Sequence, residues 1–326
     1  MKIPPFYQVT QTMLGLISNI NANHIELSRK NIHIKEKILR KSILKSSLFS
    51  ARIEGNTLYL NTLNVQDNSN EDKNEVLRIL KAVKFLQQKI RYGDSISVEL
   101  LFLLHSLVMN GKVGLTHGFR KEMGAIFNQS GVAVYVSPPP TQIKELINKL
   151  IIYFHSGKEQ FPLILALVFH LIFEKIHPFV DGNGRVGRLL IFAILKMQIK
   201  EDLMYIPYEE YLDNHKDNYY YYLDHGLKDV EGYLIFMLTA FYEQTKKVLE
   251  ESKLIGSENI PLLPPRQEEI YLLIKEHRMI SFDMIRRRFL KVPERTLRYD
   301  LKKLADKKLI IKIGETRGSF YAAKKE

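Results

Sequence analysis

Apolar residues recur at intervals of three and four along most of the first 250 positions, the spacing that lays them on one face of an α-helix. Leu77, Ile79, Leu80, Val83, Phe85 and Leu86 form one such stripe, and Leu100, Leu101, Leu104, Leu107 and Val108 form another. The same periodicity predicts helices over about 26–54, 141–155, 162–176, 184–199, 208–223 and 231–251, set apart by Gly-, Asn- or Pro-containing joints. One stretch departs from it. Over 122–137, Gly124, Gly131 and the alternating Val132, Val134 and Val136 predict a short hairpin stopped by Pro138, Pro139 and Pro140. Between Glu250 and Arg266 the helical pattern lapses into Gly256, Ser257, Asn259, Pro261, Pro264 and Pro265, which marks a domain boundary. Beyond it, helices are predicted over 265–277, over 281–290 with Ser281 as N-cap, and over 293–308 with Pro293 in the first turn. Alternation from Leu309 to Ala322 around Gly314 and Gly318 adds a hairpin, and three helices with a hairpin make a winged helix.

The 326 residues suffice for two or three domains, and 45% hydrophobic with 26% charged content excludes a disordered or fibrous chain. The absence of cysteine excludes disulfides, thiolate zinc sites and a cysteine nucleophile, and agrees with a reducing compartment. No apolar signal-peptide stretch opens the sequence, and its most apolar run, Phe161 to Phe173, contains His170 and is short of a membrane span. A soluble cytoplasmic protein without a membrane partner is expected; self-association stays open.

Charge is uneven. Residues 261–326 hold 17 Lys and Arg against 9 Asp and Glu, an excess of +8 out of the chain's +12. A polyanionic partner, nucleic acid foremost, fits that asymmetry, and a merely solvated basic surface is the plain alternative. In the last predicted helix Arg295, Thr296, Arg298, Tyr299, Lys302 and Lys303 surround Leu297, Leu301 and Leu304. With Arg286, Arg287 and Arg288 before them and Arg317 in the wing, the pattern resembles a winged-helix DNA-binding domain, with Arg295, Arg298, Lys302 and Arg317 as candidate contacts.

The densest chemistry lies in His177-Pro178-Phe179-Val180-Asp181-Gly182-Asn183-Gly184-Arg185-Val186-Gly187-Arg188. Pro178 should end one helix, and Gly182 and Gly184 permit a tight turn whose N–H groups converge on an anion where the next helix begins. Arg185 and Arg188 share a face of that helix and can grip phosphate oxygens. Asp181 is a hard oxygen donor suited to Mg²⁺, and His177 can act as a base. The plain alternative is a capped turn with solvated charges.

This string resembles the signature of the Fic family, His-x-Phe-x-(Asp/Glu)-Gly-Asn-Gly-Arg-x-x-Arg, at every specified position. Phe119, Arg120, the hairpin and Pro138-Pro139-Pro140 are similar to the family's target-binding flap, so the resemblance covers about residues 40–250. It implies a mainly α Fic-type helical bundle with a β-hairpin flap, followed here by the winged helix-turn-helix domain. The expected organisation is an N-terminal helical region (1–95), a Fic domain (96–251), a linker (252–264) and the basic domain (265–326). The implied activity moves AMP from ATP onto a Ser, Thr or Tyr hydroxyl of a target protein docked at the 122–137 flap. His177 would deprotonate that hydroxyl and Asp181 would position Mg²⁺. Asn183, Gly182, Gly184 and Arg185 would hold phosphates, and Arg188 the γ-phosphate. Phe179 would anchor the loop in the core. Tyr219 and Tyr220 match a tyrosine pair that holds adenine in relatives, with Tyr220 the stacking residue, although His215-Lys216 stands where Asn-Arg is often seen. Core packing is the alternative for that tyrosine run.

Upstream, Ser50 and Glu54 lie one helical turn apart before Gly55, which looks like a helix stop. A carboxylate at a helix C-terminus opposes the macrodipole by ~0.3–1 kcal/mol, so Glu54 should seek a cation or remain solvated beside Arg52. The segment resembles the (Ser/Thr)-x-x-x-Glu-(Gly/Asn) inhibitory helix of self-restrained Fic proteins, which implies that Glu54 pairs with Arg188. In some relatives that glutamate also helps to remove AMP, which leaves reversal open. A reading of another class also stays open: a DNA-binding regulator whose Fic pocket only senses nucleotide.

Overall fold

The structure, a computed structural model, describes residues 1–60, 70–109, 118–127, 133–200, 205–257, 263–277, 279–289, 292–314 and 319–324. The chain divides into two compact units, Met1–Ile255 and Gly256–Glu326.

In the first unit the chain runs through α1 (Gln11–Ser28), α2 (Ile32–Ile53), α3 (Glu71–Lys89) and α4 (Val98–Met109), then a hairpin of β1 (Ala125–Phe127) and β2 (Ala133–Val136). It continues with α5 (Pro140–His155), α6 (Pro162–Ile176), α7 (Asn183–Gln198), α8 (Glu209–Asn214), α9 (Lys216–His225) and α10 (Val230–Ser257). A helix that is apolar all round belongs in the middle, and α6 buries every residue from Leu163 to Ile176. Its successor α7 is buried from Arg185 to Leu195. The loop His177–Gly182 therefore joins the two central helices. Side chains on it are aimed by two deeply buried helices.

In the hairpin, Ala125 opposes Val136 and Ile126 opposes Tyr135, and the Ser137 N–H donates to the Gly124 carbonyl (2.9 Å) to close its neck. Gly131 and Val132 of the predicted hairpin lie outside the described residues.

The second unit contains α11 (Pro265–His277), β3 (Met279–Ser281), α12 (Phe282–Arg288), α13 (Glu294–Asp306), β4 (Ile310–Ile313) and β5 (Phe320–Ala323). Its antiparallel sheet has the order β3-β5-β4. Ile270, Ile274, Ile280, Ile285, Leu297, Leu301 and Leu304 form its own core.

Several boundaries differ from expectation. The segment 26–54 is two helices, because Asn31 accepts from the Ile34 N–H (2.9 Å) and N-caps α2. Helix α1 went unread: its apolar stripe, Met13, Ile17 and Ile20, is narrow and sits among asparagines that favour turns. The segment 208–223 breaks at His215 (φ −124°, ψ 42°) into α8 and α9. Helix α10 runs on to Ser257, past the expected start of the linker, and 258–262 lie outside the described residues. Strand β3 is too short for alternation to reveal, although Ser281 does cap α12 through the Met284 N–H. Pro293 is the N-cap of α13 and not part of its first turn.

Candidate active site

His177 terminates α6 in the left-handed region (φ 50°, ψ 60°), which costs a residue with a side chain roughly 1–2 kcal/mol. Its N–H donates to the Phe173 carbonyl (2.9 Å) and its own carbonyl accepts from Arg120 Nε (2.8 Å). The imidazole Nδ1 is buried with no partner among the described residues. Burial holds the ring's pKa below the ordinary histidine value, opposed by the nearby Glu174 backbone. The Arg120 charge also lowers it, and Glu54 and Asp181 pull it back in part. A neutral imidazole at neutral pH can accept a proton.

The loop after it is held from three sides. Phe179 is buried and stacks on His105 (ring centroids 3.9 Å apart), whose Nε2–H donates to the Asp181 carbonyl (3.0 Å). Asn183 accepts from the Phe179 N–H and donates to the Phe179 carbonyl, both at 2.8 Å. The Asn183 side chain thus shapes the loop with its oxygen and one N–H, which leaves the second amide N–H without a partner among the described residues. Gly182 adopts φ 82°, and a Cβ there would lie 2.8 Å from the Met109 sulfur, so only glycine fits. Asn183→Ala would leave both main-chain groups of buried Phe179 unpaired, for an expected loss of about 2–4 kcal/mol measurable by chemical denaturation.

Asp181 is largely exposed, and its Oδ1 accepts from the Gly182 N–H (2.6 Å) and from Arg185 (2.9 Å). Arg185 also meets Glu75 of α3 (2.6 Å), whose other oxygen accepts from Asn56 (2.9 Å). Sequence reasoning missed Glu75 and His105, since a pairing between helices far apart in the chain leaves no periodic trace. It expected Arg185 on phosphate; here the guanidinium bridges two carboxylates.

Arg188 is 1% exposed. Its Nε donates to Ser50 Oγ (3.0 Å), and Nη2 donates to the Ser50 carbonyl (2.9 Å) and to Glu54 Oε1 (2.8 Å). A side chain on Gly184 would collide with the Glu54 carboxylate, which therefore sits on the first turn of α7. The N–H groups and dipole of a helix N-terminus favour an anion, and Glu54 supplies one. Arg52 does not serve Glu54 and pairs instead with Asp213 (2.9 Å). Carbonyls at the end of α2 are satisfied from α9: Tyr220 OH donates to Ile53 (2.9 Å) and Lys216 to Arg52 (3.3 Å).

Behind Arg188 lies a buried polar group. His170 bonds the hydroxyls of Tyr233 (2.7 Å) and Tyr219 (3.2 Å), and burial pushes it down to about 3. Burial also pushes Glu174 up to about 8. Tyr219 is 1% exposed and belongs to this core, whereas Tyr220 is 39% exposed beside the end of α2.

In the second unit Arg295, Lys302 and Lys303 are exposed along α13. Arg298 lies over the Phe282 ring (3.9 Å), and Arg286 pairs with Glu294 (2.5 Å). Arg317 lies outside the described residues.

Comparison with known structures finds the same fold in a Fic family protein of Desulfovibrio desulfuricans, at TM-score 0.66 and 20% identity over 99% of this chain and 98% of that one. Fic-1 of C. elegans aligns at TM-score 0.61 and 18% identity, over 74% and 73% of the two chains. The fold is thus a mainly α-helical Fic type, with a small antiparallel sheet near the C-terminus. Residues 95–195 match the Fic/DOC family. A probable protein adenylyltransferase of Aquifex aeolicus is 35% identical over 102 residues, 31% of this chain and 30% of that protein. The protein adenylyltransferase Fic of Nematostella vectensis is 28% identical over 204 residues, 59% and 46%. The chain spans less than half the length of these curated relatives. Residues 95–195 are thus similar to the Fic/DOC family, and the aligned stretches are similar to protein adenylyltransferases.

Proposed function

We propose that the protein is an adenylyltransferase that moves AMP from ATP to a Ser, Thr or Tyr hydroxyl of a target protein or of itself, and that Glu54 restrains it. One observation carries this reading: a carboxylate of the chain itself already occupies the anion position between Arg188 and the first turn of α7. A phosphate suits that position for the same electrostatic reasons.

In this mechanism the triphosphate lies along the start of α7, with the Gly182 and Gly184 turn beside it and Arg188 on the γ-phosphate once Glu54 withdraws. The imidazole of His177 takes the proton of the incoming hydroxyl. The freed oxygen pair forms the bond to the α-phosphorus, the bond to the bridging oxygen breaks, and pyrophosphate leaves. Asp181 would hold Mg²⁺, which supplies positive charge to offset that of the phosphates. The fit rests on an exposed carboxylate with one oxygen unpartnered among the described residues, since Mg²⁺ favours one or two carboxylates, waters and phosphate oxygens. Arg185, bridging Asp181 and Glu75, keeps that carboxylate in place. The β1–β2 hairpin would receive the target as an added strand.

ATP labelled on the α- or the γ-phosphate tests the reading. Incubated with wild type, Glu54→Gly and His177→Ala, it should leave α-label on protein in a manner that depends on His177. Label from the γ-position would mean kinase chemistry, and none from either would favour a nucleotide sensor.

A second activity, DNA binding, is favoured by the order of elements in the basic unit, which agrees with the expected winged helix, and by the cations along α13. Arg295 and Lys302 are exposed and form no ion pair among the described residues, so they are free to meet DNA phosphates. With three or four such contacts, affinity should fall about 40- to 150-fold between ~50 and ~200 mM salt, as followed by fluorescence anisotropy with duplex DNA. A flat salt response would remove DNA as the partner.

A further inference from the structure

Arg120 is 5% exposed, yet no carboxylate pairs with it among the described residues. Its charge is distributed over main-chain carbonyls. Nε donates to His177 (2.8 Å), Nη1 to Glu122 (2.8 Å), and Nη2 to Pro138 (2.6 Å) with a longer approach to Ile176 (3.4 Å). The Arg120 N–H adds a bond to the Pro178 carbonyl (2.8 Å). Glu122 and Pro138 flank the two ends of the β1–β2 hairpin, whereas Ile176, His177 and Pro178 are the end of α6 and the start of the phosphate loop. One planar group thus ties both legs of the hairpin to the backbone of the residue read as the base.

Building on the transferase reading above, we propose that Arg120 is a positioning residue that sets the hairpin, and with it the acceptor hydroxyl, at a fixed distance from His177. His177 has a left-handed backbone that costs an L-residue energy, and the donor on its carbonyl is one of two bonds that hold it there, its own N–H on the Phe173 carbonyl being the other. A target docked as an extra strand takes its position from the hairpin, so any play at the neck becomes play between hydroxyl and imidazole. A misplacement of about 1 Å can cost a rate about 100-fold. Lysine cannot substitute, because one ammonium has no rigid fork to span four carbonyls. The charge has a second effect on His177. It disfavours the imidazolium, against Glu54 from α2 and Asp181 from the loop, which favour it.

The test uses Arg120→Lys and Arg120→Gln in the full-length chain carrying Glu54→Gly, with self-modification from α-labelled ATP as the rate and calorimetric titration for ATP affinity. Both variants should lose at least tenfold in rate while ATP affinity stays within about threefold of the parent, because the phosphate grip belongs to α7. The acid limb of the rate profile should move to higher pH in Arg120→Gln and stay in place in Arg120→Lys, which keeps the charge. A rate within threefold of the parent, an equal loss of ATP affinity, or coincident acid limbs would each overturn the proposal. If the Glu54→Gly parent transfers no label, the transferase reading fails. The Arg120 contact is then judged by NMR titration of His177, which should shift upward in Arg120→Gln and overturns the proposal if it does not. A variant that does not fold is replaced by Gly124→Ala, whose Cβ would press on the Arg120 guanidinium at 3.1 Å. That variant should show the same rate loss with ATP affinity retained, and an unchanged rate would count against the proposal.

Discussion

Alanine in place of His177 should reduce AMP transfer by about 10²–10⁴-fold, the usual contribution of a positioned base, with ATP affinity unchanged within a few-fold. The separation follows from where the residue sits. His177 closes α6, whereas the proposed phosphate grip lies at the start of α7 and on Arg188, and no hydrogen bond joins the imidazole to either among the described residues. The same residue sets the pH dependence. Burial, aided by Arg120, holds its pKa below the ordinary value, so the ring is neutral and competent at neutral pH. Activity should therefore stay level from neutral pH down to the usual histidine range and fall only below it, as the ring takes up a proton. Rates of self-modification between acid and neutral pH, corrected for folded protein by circular dichroism, check the sign. A limb at or above the ordinary histidine value would exclude His177 as the base.

Glycine in place of Glu54 should raise self-modification roughly 10- to 100-fold. A charge-assisted hydrogen bond contributes ~1.5–3 kcal/mol, and each ~1.4 kcal/mol is tenfold in binding. Under the proposed restraint, the Glu54–Arg188 contact of the wild type must be given up before the γ-phosphate can reach Arg188. The rest of the α2 end does not depend on Glu54, since Arg188 keeps both Ser50 bonds and Tyr220, Lys216 and Asp213 hold Ile53 and Arg52. The helix should therefore stay docked while the anion position empties. Removing the partner of a cation that is 1% exposed carries a cost in stability, held to about 1–3 kcal/mol by the Ser50 bonds and by the partial exposure of Glu54. ATP should restore it, so the nucleotide-induced gain in melting temperature should be larger in the variant than in wild type. Equal gains and equal rates would show that Glu54 is no restraint.

How far the sequence could be read depended on range. Helices with broad apolar stripes, such as α3 and α5 to α7, are visible in their own spacing, and the glycines at 182 and 184 announce the turn between α6 and α7. The macrodipole argument shows that Glu54 needs a cation, but nothing local says which. Only the family resemblance named Arg188, 134 residues away. Contacts such as Glu75 with Arg185, His105 with Phe179 and the carbonyl grip of Arg120 join elements distant in sequence, and each involves a residue type that is ordinary on a surface. The loop-shaping bonds of Asn183 were likewise not legible, since its motif position speaks of phosphate while its two observed side-chain bonds are made within the loop.

The measurement that bears most directly on the central claim is a crystal structure of Glu54→Gly grown with a non-hydrolysable ATP analogue and Mg²⁺. The account predicts the γ-phosphate within hydrogen-bond distance of Arg188, the metal on Asp181, and the α-phosphorus facing the His177 imidazole. Arg188 still turned only to Ser50, with nucleotide absent from the start of α7 at saturating concentration, would contradict it.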